Sequence, residues 1–360
     1  MKRKFIIALL TVIALTTGLV SVELKKSIDQ KRELLEIAAQ DMNIEPKSTD
    51  EDILTSVTMI HISYQDLHGK TLNLNNLHMF KNLESIYLDG LIVSNVSALE
   101  NMKGLKELHI SNMNLDQFDS IQLPHLKNLQ ILDCKFSNLY FIKQMSELEG
   151  LSITKNKDDK ASVVCDIEDL INNEKLEVIY LTNIKIANIN LLSSMEQITS
   201  LGLLSCDVKD FSFLDKLNKL ESLELKDDNL KNIEGIGKLY NLKYLNIENN
   251  YITDIHEVSN LKNLVEVYLG NNTITDISPL KDLEHIQTLR LNDTNVMDVS
   301  VILDLPKIQI LDIRNTKVKN LDYLMNYPKS LELYLNLNNI EKVDKLKENK
   351  NLYLSEDYIG

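Results

Sequence analysis

The stretch from Leu264 to Ile286 reads LVEVYLGNNTITDISPLKDLEHI, and its spacing decides the fold. Leu264, Val267 and Leu269 stand at positions 1, 4 and 6 of this stretch, Asn272 at 9, Ile274 at 11 and Ile277 at 14. The same spacing returns 22 residues earlier at Leu242, Leu245 and Ile247, and 22 later at Ile286, Leu289 and Leu291. An amphipathic helix would carry its apolar residues at a sustained interval of about 3.6, and a fixed 1-4-6-11-14 pattern does not. Alternation at positions 4 and 6 instead predicts a short strand with those side chains inward and the intervening ones outward.

Working outward, units begin at Leu176, Ile198, Leu220, Leu242, Leu264, Ile286 and Ile308, each 22 residues after the last. A further unit at Ser330 keeps the frame through Leu333 and Leu335. Upstream, Val57/Ile60/Ile62, Leu83/Ile86/Leu88, Leu105/Leu108/Ile110, Leu129/Leu132/Cys134 and Leu148/Leu151/Ile153 repeat the pattern at uneven intervals of 26, 22, 24, 19 and 28. The 13 units follow L-x-x-L-x-L-x-x-N-x-I, the leucine-rich repeat. Asn250 and Asn272 hold the ninth position, where an amide can satisfy backbone groups that the turn leaves open. Cys206, Thr294 and Thr316 substitute there. The excess behind this pattern is large: 62 Leu, 37 Ile and 38 Asn in 360 residues, which ordinary globular usage does not predict.

The run Asn271 to Ile286, with its Asp276-Ile-Ser-Pro-Leu280 turn, resembles the short repeats of bacterial internalin-type surface proteins. The resemblance covers about residues 28 to 346 and implies a leucine-rich-repeat solenoid of the α/β horseshoe class. Its parallel sheet would line a concave face, with short 3-10 or irregular turns on the convex face. Lys31 to Ala39 and Ser48 to Leu54 are similar to the helical N-terminal cap of that family; a cap is needed because the first coil would otherwise leave an apolar side open to water. The expected divisions are a signal peptide or membrane anchor at 1–22, the cap at 23–56, the repeats at 57–346 and a tail at 347–360. On this reading neither an immunoglobulin-like domain nor an LPxTG-type sorting motif is expected after Leu346.

Lys2, Arg3 and Lys4 followed by the apolar run from Phe5 have the layout of an export signal. Cleavage and retention both stay open: no clear Ala-x-Ala site is present, and 18 residues from 5 to 22 reach about 27 Å, close to the hydrocarbon thickness. Losing residues 1–22 removes three positive charges and takes the net charge from −14 to −17. An acidic chain of this kind is not expected to bind nucleic acid through its phosphate backbone, which needs a basic face. The three cysteines are too few and scattered for a disulfide framework or a paired zinc motif, and Cys134 and Cys206 read as small buried residues.

No motif points to catalysis. The seven His lack His-Glu-x-x-His spacing, and there is no Gly-x-Ser-x-Gly, phosphate loop or dinucleotide fingerprint. Asp227-Asp228 reads as a solvated pair, and Lys155 to Lys160 as an inserted loop followed by a short helix at 166–173. The protein is therefore expected to be a non-enzymatic, cofactor-free and metal-free monomer that binds a protein partner.

The outward position between the fourth and sixth residues supplies the candidate surface: His61, Tyr87, His109, Asp133, Ser152, Tyr180, Gly202, Glu224, Asn246, Tyr268, Arg290, Asp312 and Tyr334. Tyr244 lies one column over, beside Tyr268, with Arg290 on the next strand and Glu266 close by. Tyr and Arg are enriched at interface hot spots, so Tyr244, Glu266, Tyr268 and Arg290 form the first candidate site. Tyr87 with His109 forms a second, and Tyr180 joins the set. Cross-strand stacking that merely stabilises a sheet is the alternative. Two functions follow: an exported scaffold binding a protein at or outside the envelope of a bacterium, or a membrane-anchored envelope protein recognising a partner of its own cell.

Overall fold

A computed structural model describes residues 22–41, 50–156 and 164–356 of the chain. The expected export segment, apart from Val22, and residues 157–160 of the expected loop at 155–160 therefore lie outside the described residues, while Lys155 is buried with its Nζ donating to Cys134 O at 3.0 Å. The chain divides into two compact units, Met1–Leu176 and Glu177–Gly360.

The first unit opens with helices α1 (Val22–Asp41) and α2 (Asp50–Ser56). Leu34, Leu35 and Ala38 of α1 are buried. Gln30 fixes the docking of α1: its Nε2 donates to Thr71 O at 2.8 Å, and its Oε1 accepts from Asn73 N at 2.9 Å and Asn76 Nδ2 at 2.7 Å. Five strands of the main sheet follow, β1 (Met59–Ser63), β2 (Ser85–Asp89), β3 (Glu107–Ser111), β4 (Asn128–Leu132) and β5 (Gly150–Thr154). They pair in chain order and all in parallel. In the second unit β6 (Val178–Thr182), β7 (Ser200–Leu204), β8 (Ser222–Glu224), β9 (Tyr244–Asn246) and β10 (Glu266–Tyr268) run in the same manner. They continue into β11 (Thr288–Arg290), β12 (Ile310–Asp312), β13 (Leu331–Tyr334) and β14 (Leu352–Ser355). This is the leucine-rich-repeat solenoid: one strand per coil, neighbours in sequence being neighbours in the sheet.

One coil shows why the sequence folds so. Leu264, Val267, Leu269, Ile274, Ile277, Leu280 and Leu283 are all buried, and each such side chain gains about 1.5–3 kcal/mol on leaving water. The third residue past each strand end, Asn249, Asn271, Asp293 or Asn315, has φ between 50° and 58°, a left-handed conformation that Asn and Asp tolerate better than other side chains. Their amides also bond across coils: Asn271 Nδ2 donates to Asn249 Oδ1 and Asn315 Nδ2 to Asp293 Oδ1, both at 2.9 Å. The next position is buried. Asn272 Nδ2 donates to Ile247 O and Leu269 O, both at 2.9 Å, and its Oδ1 accepts from Ile252 N at 3.0 Å. On the return side Asp276 Oδ1 accepts from Ser278 N at 2.8 Å and Asp298 Oδ1 from Ser300 N at 2.8 Å, each opening a 3-10 turn.

Four expectations need correction. The coil read from Leu129 begins three residues earlier: β4 buries Leu129 and Ile131, which pair with Leu108 and Ile110, and turns Leu132 outward. Starts at 105, 126 and 148 replace the irregular 24 and 19 with 21 and 22. Cys134 moves to the ninth position, equivalent to Cys206, and the two thiols donate to the carbonyls of Ile110 and Leu181 at 3.4 and 3.2 Å. Asp228 is not solvated. It is 1% exposed at the same ninth position, where Oδ1 accepts from the backbone N–H of Cys206 at 2.6 Å and Asp207 at 2.7 Å. The helix expected at 166–173 is a single 3-10 turn, Ile167–Asp169, after a strand at Val164–Asp166. The stretch assigned to a tail contributes β14, paired with β13, behind the short helix α3 (Val343–Lys347).

Candidate functional site

The strand registers place the outward column as the sequence implied, with one change: the row in the first unit is His61, Tyr87, His109, Gln130, Ser152. Asp133 leaves the column for the left-handed turn after β4, and Gln130 takes its place. In the second unit the row is Tyr180, Gly202, Glu224, Asn246, Tyr268, Arg290, Asp312, Tyr334 and Ser355.

Tyr244, Glu266, Tyr268 and Arg290 come together. The Tyr244 and Tyr268 rings lie 5.2 Å apart at 42°, and the Arg290 guanidinium sits 4.5 Å from the centre of the Tyr268 ring. Both hydroxyls are committed to carboxylates, Tyr244 to Glu224 Oε1 at 2.9 Å and Tyr268 to Glu266 Oε2 at 2.7 Å. Burial, then the neighbouring carboxylates, hold both hydroxyls protonated above the usual tyrosine range. The rings are thereby fixed in orientation before any partner arrives, which lowers the entropy cost of binding.

The same construction recurs two strands on, where the sequence singled out nothing. Arg314 Nε donates to Asp312 Oδ1 at 2.9 Å and its Nη2 to Oδ2, a two-point pairing on a buried carboxylate that favours Arg over Lys. The Arg314 guanidinium lies 5.7 Å from the Tyr334 ring centre, and the Tyr334 hydroxyl donates to Glu332 at 3.3 Å. The signal was present in the outward position after the sixth residue, a column that a single-column reading of the strands passes over.

Tyr180 does not join this group. Its hydroxyl bonds Ser200 Oγ at 3.0 Å and its ring lies over Gly202, where an added Cβ would come within 2.3 Å of Cδ1. In the first unit Tyr87 and His109 stack face to face, 4.0 Å apart and 8° from parallel, with His61 edge-on to Tyr87 at 6.2 Å. His109 Nδ1 donates to Gln130 Oε1 at 2.5 Å. Among the described residues no group of three or more His, Cys, Asp or Glu is placed to hold a metal, and no helix is long and apolar enough to cross a membrane.

Residues 240–282 match the family model described as leucine-rich repeats in two copies. Among solved structures, the fold is similar to an internalin from Listeria monocytogenes, at 19% identity over 91% of this chain and 95% of that one, with a TM-score of 0.64. A leucine-rich-repeat protein of Leptospira interrogans is similar at 21% identity over 84% of this chain and 85% of that one, with a TM-score of 0.62. The TLR13 chain of a complex with ssRNA13 is similar at 19% identity over 78% of this chain and 47% of that one, with a TM-score of 0.56. No curated protein sequence matches the chain. At these identities the likeness is one of fold.

Proposed function

We propose that this chain is an exported, monomeric, non-catalytic scaffold of the internalin type that recognises a protein partner through the outward face of its strands. The observation that carries the proposal is the Tyr244, Tyr268 and Arg290 stack, with Glu224 and Glu266 holding its hydroxyls. Large rings of fixed orientation beside a guanidinium are what interface hot spots are made of. Tyr87 with His109 supplies a second contact area, and Tyr180 a third. A leucine-rich-repeat fold is a platform for such faces, while its function lies in the residues between the leucines.

The test uses the purified chain to capture partners from culture or host extract. The double variant Tyr268→Ala with Arg290→Ala is expected to lose capture at least tenfold, about 1.4 kcal/mol, with an unchanged circular dichroism spectrum. Equal capture by the variant and the native chain moves the site elsewhere. The reading as an anchored envelope protein uses the same face, and the segment at 5–22 separates the two: an exported and processed chain leaves the cells at reduced mass, whereas an anchored one stays in the membrane fraction at unprocessed mass.

A further inference from the structure

We infer that the first unit carries a receptor for one uncharged, apolar side chain of a protein partner, the cleft formed by His61, Tyr87, His109, Ser111, Gln130 and Leu132 on the outward face of its strands. This rests on the proposal that the strand face binds protein, and it names what the partner brings to the first unit.

Size is the first argument. The cleft holds about 150 Å³, the volume of a cavity that accommodates a benzene-sized group, and so takes a leucine or phenylalanine side chain rather than a whole peptide.

The second argument is its wall. Leu132 is 39% exposed and Met59, on the same face, is also 39% exposed, at outward positions where a solvated sheet would carry polar groups. A three-residue shift of frame is what brings Leu132 there, and the buried partners Leu129 and Ile131 leave it no inward alternative.

Charge supplies the third. None of the outward positions of β1 to β5 is Lys or Arg, and their only carboxylates are Asp89 and Glu107. Both accept from a serine on the adjoining strand, Asp89 from Ser111 Oγ at 2.6 Å and Glu107 from Ser85 Oγ at 2.7 Å. Asn112 Nδ2 reaches the same Asp89 oxygen at 2.7 Å, and His109 Nδ1 is spent on Gln130. These polar atoms at the rim are thus bonded within the protein, and the outward positions hold no Lys or Arg to meet an anionic side chain. What remains open is carbon and ring surface, the material of a pocket for an apolar anchor.

The experiment is a titration of the full chain, methyl-labelled at Leu and Ile, with N-acetyl-leucinamide and N-acetyl-phenylalaninamide, using N-acetyl-argininamide and the corresponding glutamate amide as charged controls. Saturable shifts of the Leu132 and Ile110 methyls are expected with the two apolar amides, at ~1–10 mM for so small a ligand. Ser111→Leu, which fills the cleft, and Leu132→Ser, which removes its apolar wall, should each raise the dissociation constant ~10-fold. Absence of saturable shifts, an equal response to the charged amides, or unchanged binding in both variants overturns the assignment. Partner capture by the Tyr268 and Arg290 variants is read on the other unit, so a failure there and a failure here are distinguishable.

Discussion

At the scale of single residues, the ninth position of the coil ties the sequence bias to stability. Asn272 serves three carbonyls, of Ile247, Leu269 and Gly270, and the N–H of Ile252. Asn272→Ala takes the partner from Leu269 O and Ile252 N, each at a cost of about 1–3 kcal/mol, while Ile247 O keeps Asn250 Nδ2 at 3.0 Å and Gly270 O keeps Asn249 N at 3.0 Å. The variant is therefore expected to lose about 3 kcal/mol by denaturant unfolding, and a loss below about 1 kcal/mol would count against this role of the amide. The cysteines at the same position meet the need with a weaker donor. Burial pushes the Cys134 thiol up to about 11 from an ordinary 9.0, and half-buried Tyr244 and Tyr268 and buried Tyr327 shift in the same direction. Each group is protonated in the folded chain over a range where the unfolded chain already ionises. The thiol's contribution is intact below about pH 9 and is lost as pH rises through 9 to 11, and that of the tyrosines begins to be lost only above their ordinary 10.0, so stability should fall on the alkaline side. Cys134→Ser should flatten the first part of that fall; an unchanged alkaline profile would remove the thiol from the explanation.

At the scale of the element, the strands were legible from spacing alone because inward and outward residues alternate with a period that packing enforces. The 22-residue intervals from Leu176 onward match the registers of β6 to β12. The failure at β4 has a local cause: Leu126, Leu129 and Ile131 satisfy the pattern, and so do Leu129, Leu132 and Cys134. Only the turn decides between them, since the earlier frame gives Asp133 the left-handed conformation and Cys134 the buried donor position. Choosing the wrong frame displaced Gln130 from the candidate surface and hid the exposure of Leu132. Strand β14 was missed because Leu352 and Leu354 stand without the third apolar residue and ninth-position donor of the earlier units, and pairing with β13 supplies what the pattern lacks. Removing residues 352–360 should uncover that edge and cost about 2 kcal/mol from the loss of Leu352 burial. Size-exclusion of the truncated chain should also show self-association through the freed edge of β13; a monomeric chain of native stability would make β14 an ornament of the sheet.

At the scale of the whole molecule, charge bears on whether this chain takes up RNA, as in the complex of one structure it is similar to. Phosphate-backbone binding needs several unpaired cations on one face, and its affinity falls with salt as those cations displace counterions. The outward positions of the first unit supply no Lys or Arg. In the second unit, Lys226 faces Glu248 at 3.6 Å, Arg314 is paired with Asp312, and Arg290 lies on the Tyr268 ring. With a net charge of −14 over the full sequence, the long-range field also repels a polyanion. The chain is accordingly expected to leave single-stranded RNA unretarded in a gel at ~150 mM salt, with any association at low salt weaker than ~100 µM. Micromolar binding that weakens steeply with added salt would show a basic surface away from the outward strand positions, and would move the search for a partner from protein to nucleic acid.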